Sequence, residues 1–327
     1  MERIGFTTSI PVEILLAAGK IPVDLNNIFI GSDQASLLVE KAEEAGYPRT
    51  TCGWIKGLYS VAIENPLQAV IAVMQGDCSN TLALMETLQL KGIKTIPFAF
   101  PFDRDIKMLQ EQIEKLMDHF SVSAEQVQES KKRLDDIRSL CWQIDTMTWQ
   151  DNVVTGGENH FYLVSSSDFN SDPKQYEKDL IKFIAKARLR KAFNDEVRLA
   201  FIGVPPIFTD LYQVTESLGA RVVFNEVQRQ FSMPFETEDI YRQYIQYTYP
   251  YGAFARLADI LEQIDLRKVD GVIHYTQTFC FRQIEDLIYR QNIQLPFLTL
   301  EGERPGKLDG RSRMRIEAFI NMLKRKK

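Results

Sequence analysis

Apolar residues along this chain fall into two patterns. Short, mostly unbroken runs, AVIAVM at 69–74, RLAFIGVP at 198–205, ARVVFNE at 220–226 and GVIHY at 271–275, read as strands. Between them apolar positions return every three or four residues, as at Leu82, Met85 and Leu88 or at Ile284, Leu287 and Ile288, which predicts helices packed by one stripe. Strands that alternate with helices predict an α/β protein whose parallel sheets are covered on both faces.

One unit occurs twice. The strand at 69–74 is followed by Cys78, a helix and an exit strand, GIKTIPFAF, around Pro97. The strand at 271–275 is followed by Cys280, a helix and the matching exit NIQLPFLTL around Pro296. Two half-molecules are expected, each offering a thiol at its sheet edge. Ligands collect at that edge in open α/β sheets, because helix amino ends point their N–H groups there. The segment TGGENHFYLVSSSDFNSDP, with Gly156, Gly157 and a serine run, marks the expected boundary. It divides an amino-terminal domain, 1–155, carrying Cys52 and Cys78, from a carboxyl-terminal domain, 156–327, carrying Cys280.

Punctuation fixes further elements. Pro11 and Gly19 bracket a short helix at 11–18, and Asp33 is expected to cap a helix at 34–45 that Gly46 and Pro48 stop. TTCGWIKG is expected to be a loop holding Cys52, with Gly53 allowing close approach to a bound group. Amphipathic helices follow at 103–119 and 123–149, the second opened by a Ser123–Gln126 capping box. Helices are also expected at 208–218, 238–247, 252–264 and 310–323.

Charge narrows the function classes. With 39 basic and 44 acidic residues the net charge is −5, which argues against a nucleic-acid binder and its basic face. KRKK at 324–327 reads as a solvated tail. No run approaches the roughly 18 apolar residues that span a bilayer, and the amino terminus shows no signal-peptide pattern. A cytoplasmic protein is therefore expected. Four cysteines in 327 residues do not build a disulfide scaffold; in a reducing compartment they are core residues, nucleophiles or metal ligands.

Cys52, Cys78 and Cys280 carry the candidate chemistry, since thiolates bind iron–sulfur clusters from positions remote in sequence when a fold converges them. Spacing alone leaves two readings open, three ligands or three buried structural cysteines. Cys141 lies on an apolar helical stripe with Leu134, Ile137 and Ile144 and reads as a core thiol. Zinc would want four N or S ligands, and His274 stands about 20 Å of extended chain from Cys280. His274 is expected as a strand residue, and His119 and His160 have no partner at metal spacing. G-x-S-x-G and G-x-G-x-x-G are absent, and GERPGKL lacks the hydroxyl residue and the strand-to-helix context of a phosphate loop.

The ordered set of motifs resembles the 2-hydroxyacyl-CoA dehydratase family, in particular its D-component type subunits, and is similar to the small cluster-bearing subunits of ATP-dependent benzoyl-CoA reductases. The pieces are IPVEILLAAGKIPVDL, the Cys52 loop, GDCSNT at Cys78, GGENHFYLVSSSDF, RLAFIGVPPIFTDLYQVTESLGARVVFNE, VDGVIHYTQTFC and PFLTLEGERPGKLDGRSRMRIEAFINML. The resemblance implies two flavodoxin-like doubly wound domains with one 4Fe-4S cluster between them, held by thiolates matching Cys52, Cys78 and Cys280. It implies an ATP-hydrolysing activator with its own cluster, a related subunit or a second copy as dimer partner, and an acyl-CoA substrate. The implied reaction eliminates water from a 2-hydroxyacyl-CoA through a ketyl radical anion, the cofactor doing the radical step. An electron-transfer or reductase component on another substrate is the alternative within the family, and a cluster-free scaffold is the alternative outside it. Larger family members carry a longer segment before the IPVEILLAAG element. That element also gives Ser9 and Glu13 a cluster-facing, catalytic role, against which stand helix-cap or solvent roles. Arg311, Arg313 and Arg315 open the last helix and are expected to pair with carboxylates rather than phosphate.

Overall fold

The computed structural model describes residues 1–194 and 197–326, so Lys327 of the KRKK tail lies outside the described residues. The first half runs β1 (Arg3–Phe6), α1 (Val12–Ala17), β2 (Ile21–Asp24), α2 (Leu25–Gly31), α3 (Ala35–Glu44), α4 (Gly53–Glu64), β3 (Ala69–Gln75), α5 (Thr81–Leu90) and β4 (Thr95–Ala99). Four helices follow without a strand, α6 (Ile106–Phe120), α7 (Ala124–Trp149), α8 (Gly156–Val164) and α9 (Pro173–Ala187). The second half runs β5 (Val197–Gly203), α10 (Leu211–Ser217), β6 (Ala220–Asn225), α11 (Glu226–Phe231), α12 (Ile240–Gln246) and α13 (Ala253–Leu266). It closes with β7 (Gly271–Gln277), α14 (Asp286–Asn292), β8 (Phe297–Gly302) and α15 (Gly310–Lys326).

The strands form two four-stranded sheets, ordered β2-β1-β3-β4 and β6-β5-β7-β8. Every pairing is parallel, with Ile4 beside Ala69 and Val70 beside Thr95 in one sheet, Leu199 beside Gly271 and Val272 beside Phe297 in the other. Crossover helices cover both faces, which is why β6 and β7 are buried along their whole length. In each sheet the order reverses once, between β1 and β3 and between β5 and β7, and ligands bind beyond the carboxyl ends of such strands.

The two halves share their cores. One apolar cluster joins Ile4, Phe6 and Ile71 of the first sheet to α7 and on to Phe231, Tyr244 and Tyr247. Another joins Leu25, Phe29 and Ile55 to Leu199, Tyr275 and Ile320. Breaking the halves apart would expose both clusters, so the crevice between the sheets has fixed walls.

Several expectations are corrected. Gly53 to Gly57 of TTCGWIKG, read as loop around Cys52, open the helix α4, whose two glycines disguise its stripe. Gly57 is required there because a Cβ would stand 2.3 Å from the Phe29 ring. Gly53 admits the Glu303 carbonyl, 2.7 Å from where its Cβ would lie, rather than a bound group. Asp33 does not cap α3; Gln34 takes that position, with its backbone N–H on Ser32 Oγ. Helices α2, α9 and α11 had no counterpart in the sequence reading. The glycine- and serine-rich segment at 155–173 forms α8, opened by a Thr155–Glu158 capping box, then two 3-10 turns. The Ser123–Gln126 capping box forms as expected, and Glu158 also pairs with Arg190 at 2.7 Å.

Candidate functional site

The carboxyl ends of both sheets open onto one cavity. Thr7 and Thr8 reach it from β1, Asp77 and Cys78 from β3, Val204 and Pro205 from β5, and Gln277, Cys280 and Arg282 from β7. Cys52 and Trp54 enter from the start of α4, Asn27 and Ile30 from α2, and His160 and Val164 from α8. About 870 Å³ of atom-free space lies among these residues, part of it open to solvent.

All three thiols singled out from the sequence line this cavity. Each stands at the amino end of a helical segment. Cys52 occupies the cap position of α4, Cys280 that of a 3-10 turn at Phe281–Glu285, and Cys78 lies two residues ahead of the α5 cap, Asn80. Their sulfurs face backbone N–H groups, from Trp54 for Cys52, from Asn80 at 3.4 Å for Cys78, and from Arg282 for Cys280. Burial pushes the Cys52 thiol up to about 11, with Cys280 adding a smaller upward push. Cys78 is raised by burial and by Asp77, and Cys280 by burial. Uncoordinated, the three are therefore neutral thiols at pH 7, and a bound metal would displace their protons. Among the described residues no three of His, Cys, Asp and Glu are grouped closely enough to hold a single metal ion.

Charge around the thiols is arranged in depth. Arg282 is buried against Cys280, with Nη2 donating to Tyr249 O at 3.0 Å and Nη1 pairing with Glu285 at 3.0 Å. Behind it Arg256, fully buried, pairs with Glu226 at 2.7 Å and Glu285 at 3.0 Å. Burial pushes the Asp77 carboxyl up to about 7, Arg282 opposing and Asp24 assisting.

Other expected residues stand elsewhere. Ser9 is buried but does not line the cavity. Glu13 does not reach the cavity either: it is fully buried, pairs with Arg138 at 2.7 Å, and accepts from Gln243 at 2.7 Å and Tyr244 at 3.0 Å. Cys141 is a core thiol, 3.4 Å from the Tyr176 hydroxyl. His274 is buried in β7 with Nδ1 2.7 Å from Asp286, and His119 is exposed. Arg313 pairs with Asp210 at 2.9 Å, and Arg315 donates to Thr299 O at 2.7 Å. His160, set aside for want of a partner at metal spacing, lies in the cavity, and nothing local in its sequence marks it.

This is a two-sheet α/β protein with a thiol-lined crevice at the switch points of both sheets. The family model described as 2-hydroxyglutaryl-CoA dehydratase, D-component, matches residues 7–323, and the chain belongs to that family. No curated protein matches it. Among the described residues no helix is long and apolar enough to cross a membrane.

Proposed function

We propose that Cys52, Cys78 and Cys280 hold one 4Fe-4S cluster and that the chain is the cluster-bearing subunit of a 2-hydroxyacyl-CoA dehydratase-like enzyme. One observation carries this reading: three thiols remote in sequence line one cavity, each beside the amino end of a helical segment. Three thiolates leave a cluster net anionic, and helix N–H groups together with the buried Arg282 offset that charge. Held by Cys52, Cys78 and Cys280, such a cluster would supply one-electron chemistry beside a substrate thioester. The chain's own residues grip it, exclude water with Ile30, Ile55, Leu58 and Phe231, and present polar groups beside it. An ATP-hydrolysing activator with its own cluster delivers the electron, and a related subunit or a second copy completes the enzyme. The chain divides into domains at 155/156.

Iron and sulfide analysis of protein purified without air tests the ligand set. Cys280→Ser is expected to lose most of the iron while Cys141→Ser keeps it; equal losses would remove the assignment.

A further inference from the structure

One wall of the cavity carries a hydrogen-bond donor whose direction is set from the interior. The chain of bonds starts at Asp145, where burial opposes ionisation but Arg267, at 2.5 Å, holds the carboxyl below its usual range. Asn159 donates its amide to Asp145 at 3.1 Å and to Thr148 Oγ1 at 3.0 Å, so its oxygen accepts from Asn225 Nδ2 at 2.8 Å. The Asn225 oxygen then accepts the Tyr212 hydroxyl at 2.9 Å. With that proton spent, Tyr212 can only accept, and Gln228 Nε2 donates to it at 3.4 Å. The same amide nitrogen stands 2.9 Å from His160 Nδ1, leaving the Gln228 oxygen without a partner. His160 Nδ1 is therefore an acceptor, and the neutral ring carries its proton on Nε2. Burial holds the ring neutral, its pKa down at about 4.

Two more residues lining the cavity, Trp54 and Asn27, carry a buried donor, Nε1, and a buried acceptor, Oδ1, without a hydrogen-bond partner among the described residues. The Asn27 amide nitrogen is fixed by Ser167 Oγ at 3.1 Å and Asp168 at 3.3 Å, which settles which end is left over. Apolar Ile30, Ile55, Leu58 and Val164 and the carboxyl of Asp24 line the same cavity. Among the described residues the Lys or Arg lining the cavity is Arg282, held beside Cys280 and Tyr249. Two donors and an acceptor suit a carbonyl bearing a hydroxyl.

We propose that His160, Trp54 and Asn27 form the subsite that recognises the 2-hydroxyacyl head, its carbonyl accepting from His160 Nε2–H and Trp54 Nε1–H and its hydroxyl donating to Asn27 Oδ1. The inference rests on the dehydratase reading and adds the residues that choose the substrate. They position it; the electron comes from elsewhere.

Lactoyl-CoA and propionyl-CoA, which differ by that hydroxyl, are titrated by calorimetry into the cluster-loaded full chain without air. The parent is expected to bind lactoyl-CoA about tenfold more tightly, one good hydrogen bond. Trp54→Phe keeps an aromatic ring beside Phe29 and removes the donor, so under conditions where the variant remains folded it is expected to bind both thioesters about tenfold more weakly. His160→Phe is expected to weaken both in parallel. Undiminished binding by Trp54→Phe and His160→Phe would overturn the subsite while the dehydratase reading stands. A parent that binds neither thioester would overturn the subsite, whereas a chain that holds no iron when purified without air would remove the dehydratase reading and the subsite together.

Discussion

Asp24 and Asp168 are both buried, and the Asp24 backbone N–H donates to Asp168 Oδ2 at 2.9 Å. Burial and then the charge of Asp24 push Asp168 up to about 7; burial also raises Asp24, against hydrogen bonds from Ser167 and Asn26. A carboxyl raised by folding stabilises the protein fully below its unfolded range, near 4, and that contribution is lost as pH rises through the folded value. Urea stability is thus expected to fall between about pH 4 and 7, and Asp168→Asn to flatten that fall whatever constant offset it adds. An unchanged slope would show that the pair titrates in the ordinary range. At this scale the sequence displayed the thiols because cysteines are few and two follow strands. His160 was not legible, because its tautomer depends on Gln228, Tyr212 and Asn225, far along the chain.

Elements were legible where the stripe and the cap agreed. Helix α7 combined both, and its Ser123 side chain accepts from Gln126 N at 3.3 Å. Ser123→Ala is expected to cost about 1 kcal/mol in urea denaturation, with little effect on the cavity. Helix α4 shows why reading failed elsewhere. Its Gly57 is dictated by Phe29 of another helix, and its Lys56 is buried in a pair with Glu43 at 2.7 Å. Neither looks like a helix interior until those partners are in place. Likewise the glycines of α8 read as punctuation, yet a Cβ on Gly156 would meet the Val222 carbonyl at 2.8 Å.

Across the whole molecule, Glu13 ties α1 to α7 and α12 through Arg138, Gln243 and Tyr244. Glu13→Gln leaves a buried guanidinium without its main anion and is expected to cost roughly 3–5 kcal/mol, read from the urea midpoint. A loss below 1 kcal/mol would mean Asp135, 3.1 Å from Arg138, suffices. The sequence by itself determined the two repeated strand–Cys–helix–strand units, their parallel sheets and the thiol at each sheet edge, because these follow from local periodicity and residue chemistry. Only the tertiary structure decided that Cys52 joins them, that Glu13 turns away from the cavity and that His160 faces it. Those outcomes hang on contacts between segments remote along the chain, 68 residues apart for His160 and Gln228 and 230 for Glu13 and Gln243, and no local pattern encodes such a meeting.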